Sequence, residues 1–205
     1  MILLATTGYF ANGQSKYLPK GVRVGANLVP IGVTLTNKEV VQYEVTGDIS
    51  FYKYLLTVDI GQAKYDRQGS GLSYTTTGMY YKGGIDVNFL HNAPGNHVLG
   101  LGLRYARSDY KNEMSWYQPD ELWGEETMQA QNDHLSSQWF EGLLVLKVNT
   151  WANIQLGFTG GLKFARSVKG SGVLNVYEIP GYGYAEPTSL WTFNYHIYYY
   201  IPFRK

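Results

Sequence analysis

The stretch WTFNYHIYYYIPF, residues 191–203, alternates strictly between two kinds of side chain. Its odd-numbered positions are all apolar or aromatic, whereas the even-numbered positions include Thr192, Asn194 and His196. Because successive side chains of a β-strand point to opposite faces, this period of two predicts a strand with one wholly apolar face. Aromatic residues at both ends of such a face are typical of a strand in an outer-membrane barrel.

Seven earlier segments show the same alternation, and no segment carries a helix pattern. One face of each segment is apolar, and the other is rich in glycine, hydroxyl-bearing and charged residues. These segments are residues 22–28, 43–51, 56–61, 81–89, 99–106, 140–148 and 154–164. Together with the last stretch they predict an all-β protein with eight antiparallel strands.

The links between the predicted strands differ in length. Those near Lys53, at 91–97 and at 149–153 are short, 66–71 is a turn-rich loop, and the polar ranges 109–137 and 169–189 are longest. Short turns on one rim and long loops on the other are typical of an up-and-down transmembrane β-barrel. We therefore expect the strand ends nearest both termini to share the short-turn, periplasmic rim.

Alternation alone does not separate a membrane barrel from a soluble ligand-binding barrel, whose apolar face points inward. Small residues on the polar face suit a narrow interior, which favours the membrane barrel. Aromatic residues near the predicted strand ends favour it too, because they resemble interfacial girdles. These aromatic residues are Tyr54, Tyr110, Trp139, Trp151 and Trp191.

Charged residues on the polar face balance in sign. The cations are Arg23, Lys82, Arg104, Lys147 and Lys163, and the anions are Glu44, Asp48, Asp59, Asp86 and Glu141. A buried interior requires each charge to be paired, whereas a solvated surface does not. Eight strands enclose a space that side chains can just fill, so we expect these charges, with His196, to form a filled interior rather than a pore.

Composition excludes several classes of protein. A net charge of +1 without a basic stripe argues against nucleic acid as a partner. The absence of cysteine excludes a disulfide scaffold and a thiolate metal site. No apolar run approaches the roughly 20 residues of a membrane helix, so only a closed barrel could cross a bilayer.

Residues 1–15 differ from the rest of the chain. Ile2–Ala5 is apolar, and Ala11-Asn12-Gly13 resembles the small-x-small site of a secretory leader. We interpret residues 1–15 as a leader remnant or an N-terminal arm, and residues 16–205 as a single barrel domain.

Four stretches carry a family resemblance: PKGVRVGANLVP (Pro19–Pro30), GIDVNFL (Gly84–Leu90), GLGLRYARS (Gly100–Ser108) and YYYIPF (Tyr198–Phe203). They resemble an uncharacterised family of small outer-membrane proteins from Bacteroidota. The resemblance implies an eight-stranded barrel in the outer membrane of a Gram-negative bacterium and no established activity.

Few residues suggest catalysis. Asp133-His134-Leu135-Ser136-Ser137 brings an acid, an imidazole and hydroxyls together in sequence, which leaves a lipid A-modifying enzyme as an alternative function. His91 and His97 flank one turn, but two histidines are too few for a metal site. We predict no catalytic residue, metal or cofactor.

The two longest links are rich in aromatic residues, which are the usual anchors of protein interfaces. The residues are Trp116, Tyr117 and Trp123 in the first link and Tyr177, Tyr182 and Tyr184 in the second. We therefore predict a non-enzymatic structural or interaction subunit of an envelope assembly, with outer-membrane lipids, lipopolysaccharide and other envelope proteins as partners. The alternative for these links is that they pack on each other and cap the barrel.

Overall fold

The computed structural model describes residues 18–120, 124–170, 174–186 and 188–203, with side chains described except between 118 and 126. The segment 1–15 and the side chain of Trp123 lie outside this description. The elements are β1 (Pro19–Asn27), α1 (Leu28–Thr36), β2 (Val40–Phe51), β3 (Tyr54–Gly69), β4 (Leu72–Asn88), β5 (Val98–Asp120), β6 (Gly124–Trp151), β7 (Ile154–Lys169), β8 (Glu178–Ile179), β9 (Gly183–Tyr184) and β10 (Leu190–Pro202). No helix among the described residues has the length and apolar character needed to span a membrane.

Eight strands form one antiparallel sheet that closes on itself in the order β1-β2-β3-β4-β5-β6-β7-β10. Val22 closes the sheet, since it lies opposite Ile49 of β2 and Ile201 of β10. Starting from Ile201 of β10 and passing from each residue to its paired neighbour, one turn around the sheet ends at Trp191 of the same strand. Such a stagger tilts the strands and is what allows a sheet to close. The predicted all-β class and the eight antiparallel strands are confirmed.

One rim of the closed sheet carries the short links, at the predicted positions. They are Tyr52–Lys53, 89–97 and Ala152–Asn153. Tyr52 and Ala152 have positive φ angles of 47° and 48°, which a two-residue reversal between antiparallel strands requires. β1 begins and β10 ends at this rim, where the Phe203 amide donates to the carbonyl of Lys20.

The first link on the opposite rim contains the helix α1, so the prediction of no helix was wrong. The Asn27 side chain caps it by accepting a hydrogen bond from the Val29 amide at 3.2 Å. Thr34 attaches the helix to β2 through hydrogen bonds with both backbone groups of Gln42. The helical sequence LVPIGVTLT is rich in β-branched residues, which have a low helix propensity and so hide the helix in the sequence.

The polar ranges 66–71 and 109–137, predicted as loops, are mostly paired strand. β3 and β4 are joined by a two-residue turn, and β5 pairs with β6 up to Asp120 and Gly124. By contrast, β2–β3 pairing stops at Tyr65 and β6–β7 pairing stops at Ser136. We call residues 62–69, 72–79, 107–120 and 124–138 the extension, because these four segments include the last pairs with β2 and β7 and then continue beyond them. The rest of the closed sheet we call the ring.

The two faces of β5 exchange polarity where the ring meets the extension. In the ring its outward side chains are Leu99, Leu101, Leu103 and Tyr105, and in the extension they are Arg107, Asp109, Lys111 and Glu113. Its inward face changes the opposite way, from the buried Arg104 to the buried Ala106 and Tyr110. On β3 the outward Ile60 is likewise followed by Gln62 and Lys64, all of them exposed. Ile60 and Arg107 belong to the same row of paired residues, so the exchange occurs at neighbouring positions on β3, β4 and β5.

Candidate functional site

The interior of the ring holds the predicted charged side chains, which β1–β7 and β10 direct inward at alternate positions. Ten are buried: Arg23, Glu44, Asp48, Asp59, Lys82, Asp86, Arg104, Glu141, Lys147 and His196. Lys163, the remaining predicted member, is half-buried. The ten form three clusters.

The Asp48 cluster joins strands on opposite sides of the ring. Asp48 accepts from Arg23 at 2.8 Å with one carboxylate oxygen and from Lys147 at 2.5 Å with the other. Arg23 also donates to Gln155 and Ser50, each at 2.6 Å. Neutral side chains therefore complete this cluster, although we predicted its members from charge alone.

The Glu44 cluster lies on the extension side of the interior. Lys82 is 2.8 Å from one Glu44 oxygen and 3.7 Å from Glu141, so one ammonium lies between two carboxylates. Asn27 donates to the other Glu44 oxygen at 2.7 Å, and His196 lies 3.9 Å from that oxygen. The same Asn27 caps α1, so the cluster also fixes the start of the helix.

The Asp86 cluster contains a two-bond guanidinium–carboxylate pair. Arg104 donates to the two oxygens of Asp86 at 2.5 and 3.0 Å and lies 3.8 Å from Asp59. Thr57 donates a further hydrogen bond to Asp86. Because all of these groups are buried, loss of one partner would leave an uncompensated charge away from water.

Little space remains between these side chains. The cavity lined by Glu44, Asp59, Arg104 and Lys147, among others, has a volume of about 10 Å³. A single water molecule needs about 10–15 Å³ by this measure. Side chains of the described residues therefore fill this level of the ring, and the cavity between them has room for about one water molecule at most.

Residues 178–185, which we call the plug, fold into the end of the ring that adjoins the extension, which we call the upper end. β8 and β9 pair in a small hairpin, and Glu178, Ile179, Tyr182 and Ala185 are buried. Lys163 holds the turn of this hairpin by donating to the carbonyls of Gly181 and Tyr182 at 2.7 and 2.9 Å. Lys163 therefore binds the plug through backbone carbonyls instead of bridging to a carboxylate.

The aromatic side chain of Tyr80 lies between the backbones of two glycine residues, Gly61 and Gly181. A Cβ atom added at Gly61 would lie 2.2 Å from the Tyr80 ring, and one added at Gly181 would lie 2.5 Å from it. Gly181 also has a φ of +78°, a conformation that favours glycine. Tyr80 itself is fully buried and belongs to the apolar core beneath the plug.

Arg67 of the extension holds the other end of the plug. Its guanidinium donates to both oxygens of the buried Glu178, at 2.7 and 3.2 Å, and to Glu39 at 3.0 Å. The hydrogen bonds to Glu178 raise the pKa of Arg67 above its usual value. One arginine thus joins the plug to the link that follows α1.

Two aromatic residues predicted as an interfacial girdle lie inside the molecule, so that part of the prediction was wrong. Trp139 and Tyr110 are buried, whereas Tyr54, Trp151 and Trp191 are exposed. Trp139 donates to Glu141 at 2.9 Å and contacts the Tyr182 ring edge-on, so it joins the Glu44 cluster to the plug. The even spacing between Trp139 and Glu141 is the sequence signal that could have placed Trp139 on the inward face.

The aromatic residues predicted as a loop interface are divided between surface and core. Tyr117, Tyr177 and Tyr184 are exposed, and Trp116 is half-buried. Tyr182 is buried in the plug and presents no surface to a partner. The sixth residue, Trp123, lies outside the described side chains.

The residues considered for catalysis do not converge. Asp133 and His134 are exposed at a bulge on the outer face, whereas Ser137 is buried and its hydroxyl is hydrogen-bonded to that of Tyr110. His91 and His97 contact different residues, since His91 packs against Tyr52 and the His97 ring accepts from the Asn149 amide. Within the described part of the chain, no three His, Cys, Asp or Glu residues are placed to hold a metal ion.

Comparison with protein families gives a match over most of the chain. A family described as Domain of unknown function (DUF6048) matches residues 7–205. No curated protein and no solved structure matches the chain significantly.

Proposed function

The chain belongs to the family described as Domain of unknown function (DUF6048), and on that premise we propose that it is a non-enzymatic, transmembrane β-barrel of the bacterial outer membrane. Its ring spans the bilayer with a filled interior, and its extension stands outside the cell as an interaction subunit of an envelope assembly. The short-turn rim then faces the periplasm. The resemblance noted from the sequence supports Bacteroidota as the source.

The exchange of polarity along the strands is the observation that carries this proposal. Apolar side chains on the outside of the ring, such as Val58, Leu103 and Phe193, are 51–59% exposed. A continuous apolar belt of this kind is unfavourable in water and suits lipid. The interior of the ring is charged, which is the opposite of a soluble barrel that binds an apolar ligand. In the extension the outward face becomes charged, as contact with water requires.

Features near the upper edge of the ring support the same arrangement. The helix α1 exposes Val29, Val33 and Leu35, the last of which is 81% exposed. Trp191 is 72% exposed on the outer face of β10. Aromatic and apolar side chains at this height suit the boundary between lipid and headgroups.

The extension offers a surface for a protein partner. Leu72, Trp116 and Met128 are paired positions on adjacent strands near its tip, on the inward face above the plug. Leu72 is 40% exposed, Met128 is 37% exposed, and Tyr177 stands nearby against Tyr74 at 59% exposure. Tryptophan, tyrosine and methionine are enriched at protein interfaces. We call this set of residues the tip patch.

Membrane insertion is tested by flotation of the purified, refolded chain with phospholipid vesicles. We expect the chain to float with the vesicles after extraction with sodium carbonate and to migrate differently on gels before and after boiling. The proposal would be contradicted if the chain did not bind the added vesicles and stayed in the soluble fraction.

The role as an interaction subunit is tested by cross-linking in native membranes. The double variant Trp116→Ala, Met128→Ala alters the tip patch. The matched control is Ser115→Ala, Gln129→Ala, which alters the adjacent row of paired residues on the opposite, outward face of the same two strands. We expect the tip-patch variant to lose a cross-linked envelope protein that the control retains, while both variants still float. Equal cross-linking in the two variants would contradict the tip patch as the docking surface.

A further inference from the structure

The outer face of the extension contains a concave surface immediately above the apolar belt. This depression has a volume of about 530 Å³ and is lined by strands β4, β5 and β6. Its lining includes Thr77, Arg107, Asp109, Lys111, Asp133 and His134. The depression is open on its outer side, so an occupant would stay in contact with its surroundings.

Positive and negative charges alternate in this depression. Arg107, Asp109 and Lys111 are successive outward residues of β5, so their spacing is about 7 Å. Asp133 faces the same depression from the bulge in β6. Two cations and two carboxylates cancel, so the depression does not favour a ligand of one charge sign.

Arg107 keeps a donor available. Its Nε and Nη2 atoms bind Asp109 at 2.8–3.2 Å, while Nη1 makes no hydrogen bond to any residue that the structure describes. Lys111 donates one hydrogen bond within the described residues, to Glu113 at 2.7 Å, whereas its ammonium has three donors. Hydrogen bonds to these carboxylates raise the pKa of Arg107 and that of Lys111 above their usual values. Both side chains are therefore charged at neutral pH.

The position of the depression limits what reaches it. Arg107 follows Tyr105, the last outward residue of the belt on β5, and pairs laterally with Tyr81 of β4. If the ring spans a bilayer, the depression lies at the height of the lipid headgroups. Its natural occupant is then the polar end of a lipid whose chains lie against the belt.

We propose that this depression binds a lipid headgroup that carries both a phosphate and a primary ammonium, as phosphoethanolamine does. The phosphate accepts hydrogen bonds from Arg107 and Lys111. The ammonium, joined to it by a two-carbon linker, donates to Asp109 and Asp133. This inference rests on the proposed function, because it requires the belt to face lipid.

Native mass spectrometry of the full chain in detergent micelles tests the headgroup site. Short-chain phosphatidylethanolamine, phosphatidylcholine and phosphatidylglycerol are added separately at equal concentrations. We expect phosphatidylethanolamine to be retained about five- to tenfold more strongly than the other two, the effect of one or two exposed charge-assisted contacts. Phosphatidylcholine lacks ammonium N–H donors, and phosphatidylglycerol lacks the cation.

Two variants assign the preference to the depression. The double variant Arg107→Gln, Lys111→Gln should retain phosphatidylethanolamine no better than phosphatidylcholine. The double variant Asp109→Asn, Asp133→Asn should retain phosphatidylglycerol at least as well as phosphatidylethanolamine. The matched control is Lys64→Gln, Asp66→Asn, which removes an exposed ion pair of β3 outside the depression and should leave the preference unchanged.

Each contrary result has a separate meaning. Equal retention of the three lipids by the unmodified chain, or a preference that survives the Arg107 and Lys111 substitutions, overturns the headgroup site. Stronger retention of phosphatidylglycerol by the unmodified chain overturns it as well. Flotation with vesicles is measured on the same preparation, so failure to float contradicts the proposed function, whereas flotation without a lipid preference contradicts only this site.

Discussion

The ring and the extension share the same strands and opposite polarity. β5 passes from one to the other without a break in its pairing with β4, and yet its outward residues change from Leu103 and Tyr105 to Arg107 and Asp109. The pairing of β5 with β4 is thus common to both regions, while the polarity of its outward side chains differs. The comparison teaches that the polarity of a strand's outward face, and not its pairing with the next strand, indicates what surrounds the strand.

The largest expected effect comes from breaking the interior of the ring. Arg104→Leu leaves Asp86 and Asp59 buried without their guanidinium, so we expect the free energy of unfolding to fall by about 3–5 kcal/mol. The measurement is urea-induced unfolding of the refolded chain in lipid vesicles. The control is Arg107→Leu, three residues further along the same strand but exposed, which should change stability far less. Similar losses in both variants would mean that the interior charges contact water.

A second substitution tests the outward face of the ring. Leu103→Arg places a charge in the middle of the belt and should destabilise the vesicle-inserted chain by about 2–4 kcal/mol, because lipid does not solvate it. Gln68→Arg places the same side chain on the outward face of the extension and should be nearly neutral. The measurement is again unfolding in vesicles. Tolerance of both substitutions would show that the belt does not face lipid.

A third substitution separates the plug from the ring. Tyr182→Ala removes a buried aromatic ring from the plug, and we expect the plug contacts to weaken by about 1.5–3 kcal/mol. Limited proteolysis should then cleave residues 174–186 more rapidly, while the ring stays protected. Tyr184→Ala, two residues later and exposed, is the control and should leave the cleavage rate unchanged. Cleavage within the ring strands would indicate that the plug and the ring fold as one unit.

The smallest expected effect is on ion flow. We expect no steady conductance of the unmodified chain in planar bilayers, because the clusters around Asp48, Glu44 and Asp86 fill the ring. Tyr182→Ala should also show no steady conductance, since it opens only the region above these clusters. Stable currents in the Tyr182→Ala variant alone would mean that the plug, and not the charge clusters, blocks ion flow. Stable currents in the unmodified chain as well would mean that the interior side chains line a water-filled path.

Sequence alone predicted the ring well because its physical signal is local. Alternation of apolar and polar residues shows which side chains share one face of a strand. Arg104 and Glu141 could thus be placed inward from their positions in the strands, and they lie opposite each other in β5 and β6. Which charge contacts which could not be predicted, since pairing across the ring depends on the stagger between strands.

The extension was mispredicted because its signal is weaker. Polar residues occupy its outward face, and its inward face mixes Asn112 and Ser137 with Tyr110, so the alternation that marks a strand is diluted. The plug was hidden for a different reason. Nothing local in Pro180-Gly181-Tyr182 tells a surface turn from a buried one, and only the contacts with Trp139 and Lys163, which are distant in sequence, decide it.

The position of Tyr80 between Gly61 and Gly181 couples three distant positions during sequence divergence. Neither glycine can acquire a side chain while Tyr80 keeps its ring, because the new Cβ would overlap that ring. A smaller residue at position 80 would relieve the overlap, although the positive φ of Gly181 would still disfavour most replacements there. Homologues should therefore change positions 61 and 80 together, and a double-mutant cycle on Gly61→Ala and Tyr80→Leu should be non-additive. A single buried aromatic side chain thus constrains which substitutions evolution can accept on a neighbouring strand and in the plug.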